Sequence, residues 1–139
     1  MIDFKLLTVI VVVVLVLLGI FFYWLSRRQK PRARWVDKLE EKYRQLLLSE
    51  KNQDKRFFLI QLDKLYEYGL QQKYRSQSSL GQLLKSNSKS FVKSELSDLW
   101  IAHKLRNKLV HDVDHKSEIS ELNFAVLIFK KYLQDLISN

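Results

Sequence analysis

The sequence predicts an all-α protein: a single N-terminal transmembrane helix followed by an antiparallel helical bundle. Three observations lead there. Leu6 to Leu25 run without a charged residue, the apolar residues after the first thirty recur at steps of three and four, and strand punctuation is almost absent. Pro31 is the only proline, and the three glycines are Gly19, Gly69 and Gly81.

A helix over 6–25, interrupted only by Thr8 and Gly19, would cover roughly 30 Å of hydrocarbon. A secretory signal would show a shorter apolar core and a small-residue cleavage site, and neither precedes Ser26. Arg27, Arg28, Lys30, Arg32 and Arg34 follow the run, whereas Lys5, balanced by Asp3, precedes it. By the positive-inside rule this sets the expected arrangement: a short extracytoplasmic N-terminus over 1–5, the span over 6–25, a basic juxtamembrane linker over 26–34 and a cytoplasmic domain over 35–139 of an inner-membrane protein. Tyr23 and Trp24 fall where an interfacial aromatic belt would sit, and the basic cluster can meet anionic lipid, so a lipid bilayer is an expected partner.

The chain has no cysteine, which removes disulfides, thiol chemistry and cysteine zinc sites. The roughly 105 residues after the linker suffice for one core and not for two. Trp35, Leu39, Tyr43 and Leu46 mark a first amphipathic helix, and Phe58, Leu62, Leu65 and Gly69 a second. Ser79 with Gln82 three residues on reads as a capping box opening a short helix to about Lys85, and Asn87 to Ser90 reads as loop. Ser94 is the expected cap of the next helix, with Glu95 and Asp98 in its first turn. Ser117 is the expected cap of the last, along which Ile119, Leu122, Val126, Phe129, Leu133 and Leu136 form one stripe.

The helix from Leu96 to His111 carries the unusual chemistry. Its apolar residues Leu96, Leu99, Trp100, Ile101, Ala102, Leu105, Leu109 and Val110 cover more than one face, which predicts a mostly buried helix. His103, Asn107 and His111 share a stripe, and Arg106 flanks it. A buried guanidinium needs an acceptor, an open groove or a partner subunit.

Arg106-Asn107-Lys108-Leu109-Val110-His111, placed late in a helix and followed by a loop and a long terminal helix, resembles the R-x4-H signature of the HEPN superfamily. The resemblance covers about Trp35 to Ile137 and implies a HEPN-like helical bundle, often a homodimer. It also implies a metal-independent endoribonuclease in which the RNA 2′-hydroxyl attacks the adjacent phosphate. There His111 would be the general acid or base, Arg106 would stabilise phosphorane charge and Asn107 would orient or donate a hydrogen bond. A five-residue step turns roughly 140° around a helix, so Arg106 and His111 would need a helix end or a second subunit to share a site.

The net charge of +9 is uneven. Lys73, Arg75, Lys85, Lys89, Lys93, Lys104, Arg106 and Lys108 meet only Glu95 and Asp98 over 73–108, a net of +6, whereas 109–139 carries −2. Lys104, Lys108, Lys73 and Arg75 are the candidate RNA contacts, by attraction to phosphate.

Three other readings compete. His111-Asp112-Val113-Asp114-His115 invites a metal, yet its spacing matches no closed zinc or calcium pattern, so no metal or cofactor is assigned. An HD-type phosphohydrolase would need further ligands, and His103 is the only other histidine. His103 itself reads as a packing residue. The third reading is a non-catalytic interaction or dimerisation module: Asn107 and His111 tie the helix end to the loop, and Arg106 pairs with Asp112, Asp114 or a carboxylate of another helix.

Overall fold

A computed structural model describes residues 4–27, 33–112 and 117–138, which divide into two compact units with a boundary after Arg32. Arg28, Lys30, Pro31 and Arg32 of the basic linker, and Asp114 and His115, lie outside the described residues, as do the side chains of Lys5, Trp24 and Arg27.

The first unit is one helix, α1 (Phe4–Arg27). The expected transmembrane helix is not upheld, because among the described residues no helix is long and apolar enough to cross a membrane. The side chains of α1 are described without a break from Ile10 to Tyr23. Its large apolar side chains are exposed.

The second unit is the helical bundle: α2 (Arg34–Ser49), α3 (Lys55–Tyr74), the short α4 (Leu80–Ser86), α5 (Lys93–His111) and α6 (Ile119–Ser138). Every element of regular structure among the described residues is helical. The α3 helix sits centrally, with α2, α4, α5 and α6 all packed against it, and α6 also lies along α5. Burial follows helical periodicity. Leu39 and Tyr43 of α2, Phe58, Leu59, Leu62, Tyr66 and Leu70 of α3, and Leu122, Val126, Phe129, Leu133 and Leu136 of α6 meet in one core. Gly69 of α3 is required by that packing, since a Cβ there would come within 2.6 Å of Leu136 Cδ2 and 3.0 Å of Leu39 Cδ2.

The helix starts differ in detail. Asp54 caps α3, its Oδ1 accepting from the N–H groups of Arg56 and Phe57. Before α4, the Ser79 N–H donates to Gln82 Oε1 at 3.2 Å, the reciprocal arm of the expected capping box. Ser94 does not cap α5. The helix begins at Lys93 with Val92 as its N-cap, two residues before the expected cap, and Glu95 Oε2 accepts from the Val92 N–H at 3.2 Å. Likewise, Ser117 does not cap α6: among the described residues its buried hydroxyl has no hydrogen bond, and Glu121 Oε2 accepts from the Glu118 N–H. In both places a glutamate at the third helical position accepts from the N–H of the residue just before the helix.

The α5 helix is less buried than expected. Leu99, Ala102, His103 and Leu105 are interior, whereas Ile101 and Val110 are exposed, because α3, α4 and α6 together cover only part of its circumference. Ile119 is exposed as well, since it is the first residue of α6 and lies beyond the core. Across the bundle, Lys130 Nζ reaches Glu50 Oε2 at 2.6 Å and Tyr43 Oη donates to the Lys130 carbonyl at 3.3 Å, tying α6 to the end of α2.

Candidate functional site

Asp63 lies on α3 at a step of four from Leu59 and three from Tyr66, a core-facing position in an otherwise apolar stripe. It is 0% exposed. Opposite it, α5 presents His103, Arg106 and Asn107 on consecutive turns. Their side chains and Asp63 close a ring of four contacts. Asp63 Oδ1 is 2.6 Å from His103 Nδ1, and His103 Nε2 is 3.2 Å from Asn107 Nδ2. Asn107 Oδ1 accepts from Arg106 Nη1 at 2.8 Å, and Arg106 Nε lies 3.1 Å from Asp63 Oδ2.

The donors and acceptors around this ring are mutually determined. A guanidinium only donates, so Asn107 must turn its oxygen to Arg106 and its amide nitrogen to His103. His103 Nε2 then accepts, which places the ring proton on Nδ1, where it is donated to Asp63. The last contact is weaker than its length suggests. Neither Arg106 Nε nor Asp63 Oδ2 has a hydrogen bond of acceptable angle, so the two are held as an ion pair by charge and proximity. The ring is enclosed on a further side by Trp100, edge-on to His103 at 6.2 Å between ring centres, and by Gly81 of α4.

Of the residues the sequence singled out for catalysis, the structure brings Arg106 and Asn107 together and leaves His111 apart. The Arg106 side chain is 17% exposed and turned to α3. His111 is the last residue of α5, exposed, and outside the ring. Asp63 was missed, and His103 turns out to be a hydrogen-bonded member of the cluster as well as a packing residue. The available signal for Asp63 was a lone carboxylate on the apolar stripe of an amphipathic helix, a position where ionised groups survive only when paired.

The candidate RNA contacts divide between two places. Lys104 and Lys108 border a groove of about 480 Å³ between α5 and α6, with Ile101, Leu105, Glu121 and Phe124. Lys73 lines a separate cavity of about 240 Å³ that also contains Glu95 and Asp135. Arg75 ends α3 in the left-handed region at φ 50°, its N–H turned to the Gln71 and Gln72 carbonyls. No group of three or more candidate metal ligands occurs among the described residues.

No protein-family model, curated protein or solved structure matches this chain. The HEPN likeness therefore rests on the Arg106-to-His111 spacing and its helical setting.

Proposed function

We propose that the bundle is a non-catalytic, HEPN-like interaction module that pairs with a second copy of itself through the outer face of α5 and α6. The observation that carries this reading is the contact of Arg106 with the fully buried Asp63. A guanidinium whose charge is matched inside the protein, and whose Nη1 is held by Asn107, contributes little field to a phosphate outside. Its role is to fix α5 against α3.

The surface so presented suits a second copy. Ile101 and Phe124, 52% and 39% exposed, line the α5–α6 groove, with Lys104 and Lys108 on the α5 side and Glu121 on the α6 side. Under a two-fold axis one protomer's lysines face the other's glutamate, the self-complementarity that an isologous contact needs. Light scattering coupled to size exclusion on the full chain tests this. A dimer that Phe124→Glu converts to a monomer of unchanged helicity is expected, and a wild-type monomer at about 100 μM would overturn the reading.

One observation favours a second reading. His111 makes no hydrogen bond among the described residues and stands exposed at a helix end, as the general acid or base of a metal-independent endoribonuclease would. Cleavage of varied RNAs in the presence of a chelator, lost in both Arg106→Ala and His111→Ala while folding is kept, would establish it.

A further inference from the structure

A groove of about 300 Å³ lies between α2 and α3, lined by Lys42 and Leu46 of the first helix and by Gln61, Lys64, Leu65 and Tyr68 of the second. It shares no residue with the Arg106 ring or with the α5–α6 groove, and neither reading above uses it. Leu46, Leu65 and the Tyr68 ring give it an apolar surface. Its polar side chains, two ammonium groups, an amide and a phenol, can all donate hydrogen bonds, and no carboxylate lines it.

The charge is one-sided because the acids of both helices are turned or committed elsewhere. Around α2, Asp37, Glu40 and Glu41 project about 100° or more away from Lys42. Glu41 accepts from Arg44 at 2.7 Å and from Gln45 at 2.8 Å. On α3, Asp63 faces His103 and Arg106, and Glu67 accepts from the Leu80 N–H at 2.6 Å. The ion pairs among the described residues, Arg44–Glu41, His103–Asp63, Arg106–Asp63 and Lys130–Glu50, include neither Lys42 nor Lys64. Lys42 Nζ lies 4.8 Å from the Tyr68 ring centre, a contact that holds the ammonium at the groove without cancelling its charge.

We propose that this groove binds a small amphipathic anion, its acidic headgroup held between Lys42 and Lys64 and its apolar tail laid on Leu46, Leu65 and Tyr68. The volume sits at the low end of the range for small-molecule sites, which suits a short tail. The headgroup brings the acceptors that this set of donors lacks. A free inorganic anion would match the two charges and leave both leucines in water, and an uncharged tail would cover the leucines and leave both charges unmatched.

Isothermal titration of the purified full chain with octanoate, and with uncharged octan-1-ol, tests the proposal. Two partly exposed ion pairs together amount to about tenfold in affinity, so octanoate is expected to bind about tenfold more tightly than the alcohol. The exposed apolar side chains of α1 offer both probes a second surface, which does not involve Lys42 or Lys64. A variant carrying Lys42→Gln and Lys64→Gln, both at exposed positions, is therefore expected to unfold at the wild-type temperature and to bind octanoate no more tightly than octan-1-ol. Equal affinity of the wild type for the two probes, absence of octanoate binding, or a preference for octanoate that survives in the double variant would each overturn the proposal.

Discussion

Replacing Asp63 with asparagine keeps the shape of the side chain and removes its charge. The amide can still accept from His103 Nδ1 through one oxygen, 2.6 Å away in the native contact, but its nitrogen must then face Arg106 Nε across about 3.1 Å, donor against donor. Breaking a buried ion pair by neutralising one partner costs about 3–5 kcal/mol. Arg106 keeps some access to water, its side chain being 17% exposed, so the low end, about 3 kcal/mol, applies. The unit from Ala33 onward has about a hundred residues, for which unfolding entropy makes 1 kcal/mol worth roughly 4 °C. Asp63→Asn should therefore lower Tm by about 12 °C, read by far-ultraviolet circular dichroism on the full chain. A double-mutant cycle with Arg106→Gln should give a coupling of about 1–3 kcal/mol, since the two side chains share one contact. A Tm within about 4 °C of wild type, or additivity of the two variants within about 0.5 kcal/mol, would refute the ring as a brace between α3 and α5.

Three further outcomes follow from the same contacts. Gly69→Ala should destabilise by about 1–2 kcal/mol despite the better helix propensity of alanine, because its Cβ meets the buried Leu136 and Leu39, whereas Gly81→Ala, with its nearest neighbour at 3.5 Å, should be neutral or slightly stabilising; paired thermal melts decide. Glu50→Gln should cost only about 0.5–1 kcal/mol and the loss should shrink in high salt, because both members of the Glu50–Lys130 pair are substantially exposed at 36% and 27%. Burial raises the pKa of Tyr66 in the folded state, so the folded protein holds that proton more tightly than the unfolded chain does. The associated stability is complete below the unfolded tyrosine pKa near 10 and is lost as pH rises beyond it; urea midpoints between about pH 9 and 11 should fall less steeply in Tyr66→Phe.

Much of the bundle was legible in the chain because its signal is local. Apolar spacing located α2, α3, α5 and α6, and Gln82 marked the start of α4. The caps were less legible, since the helices begin at Lys93 and Ile119, which puts Val92 and Glu118 rather than Ser94 and Ser117 just before the first turn, and there a glutamate inside the helix accepts that residue's N–H. The exposed faces were misjudged for a different reason. Ile101 and Ile119 are as apolar as any core residue, and whether they are covered depends on where the neighbouring helices end.

The sequence alone determined the helical class, the position of the bundle helices and the presence of a polar cluster around Arg106. Each depends on residues within a few turns of one another, where helix geometry fixes neighbours. Tertiary structure decided what that cluster is. Asp63 lies 40 residues before His103 in the chain, so no local spacing could announce that one buried carboxylate would hold both His103 and Arg106. Packing α3 against α5 brings them together, and it turns Arg106 inward while His111, at the end of the same helix, remains outside.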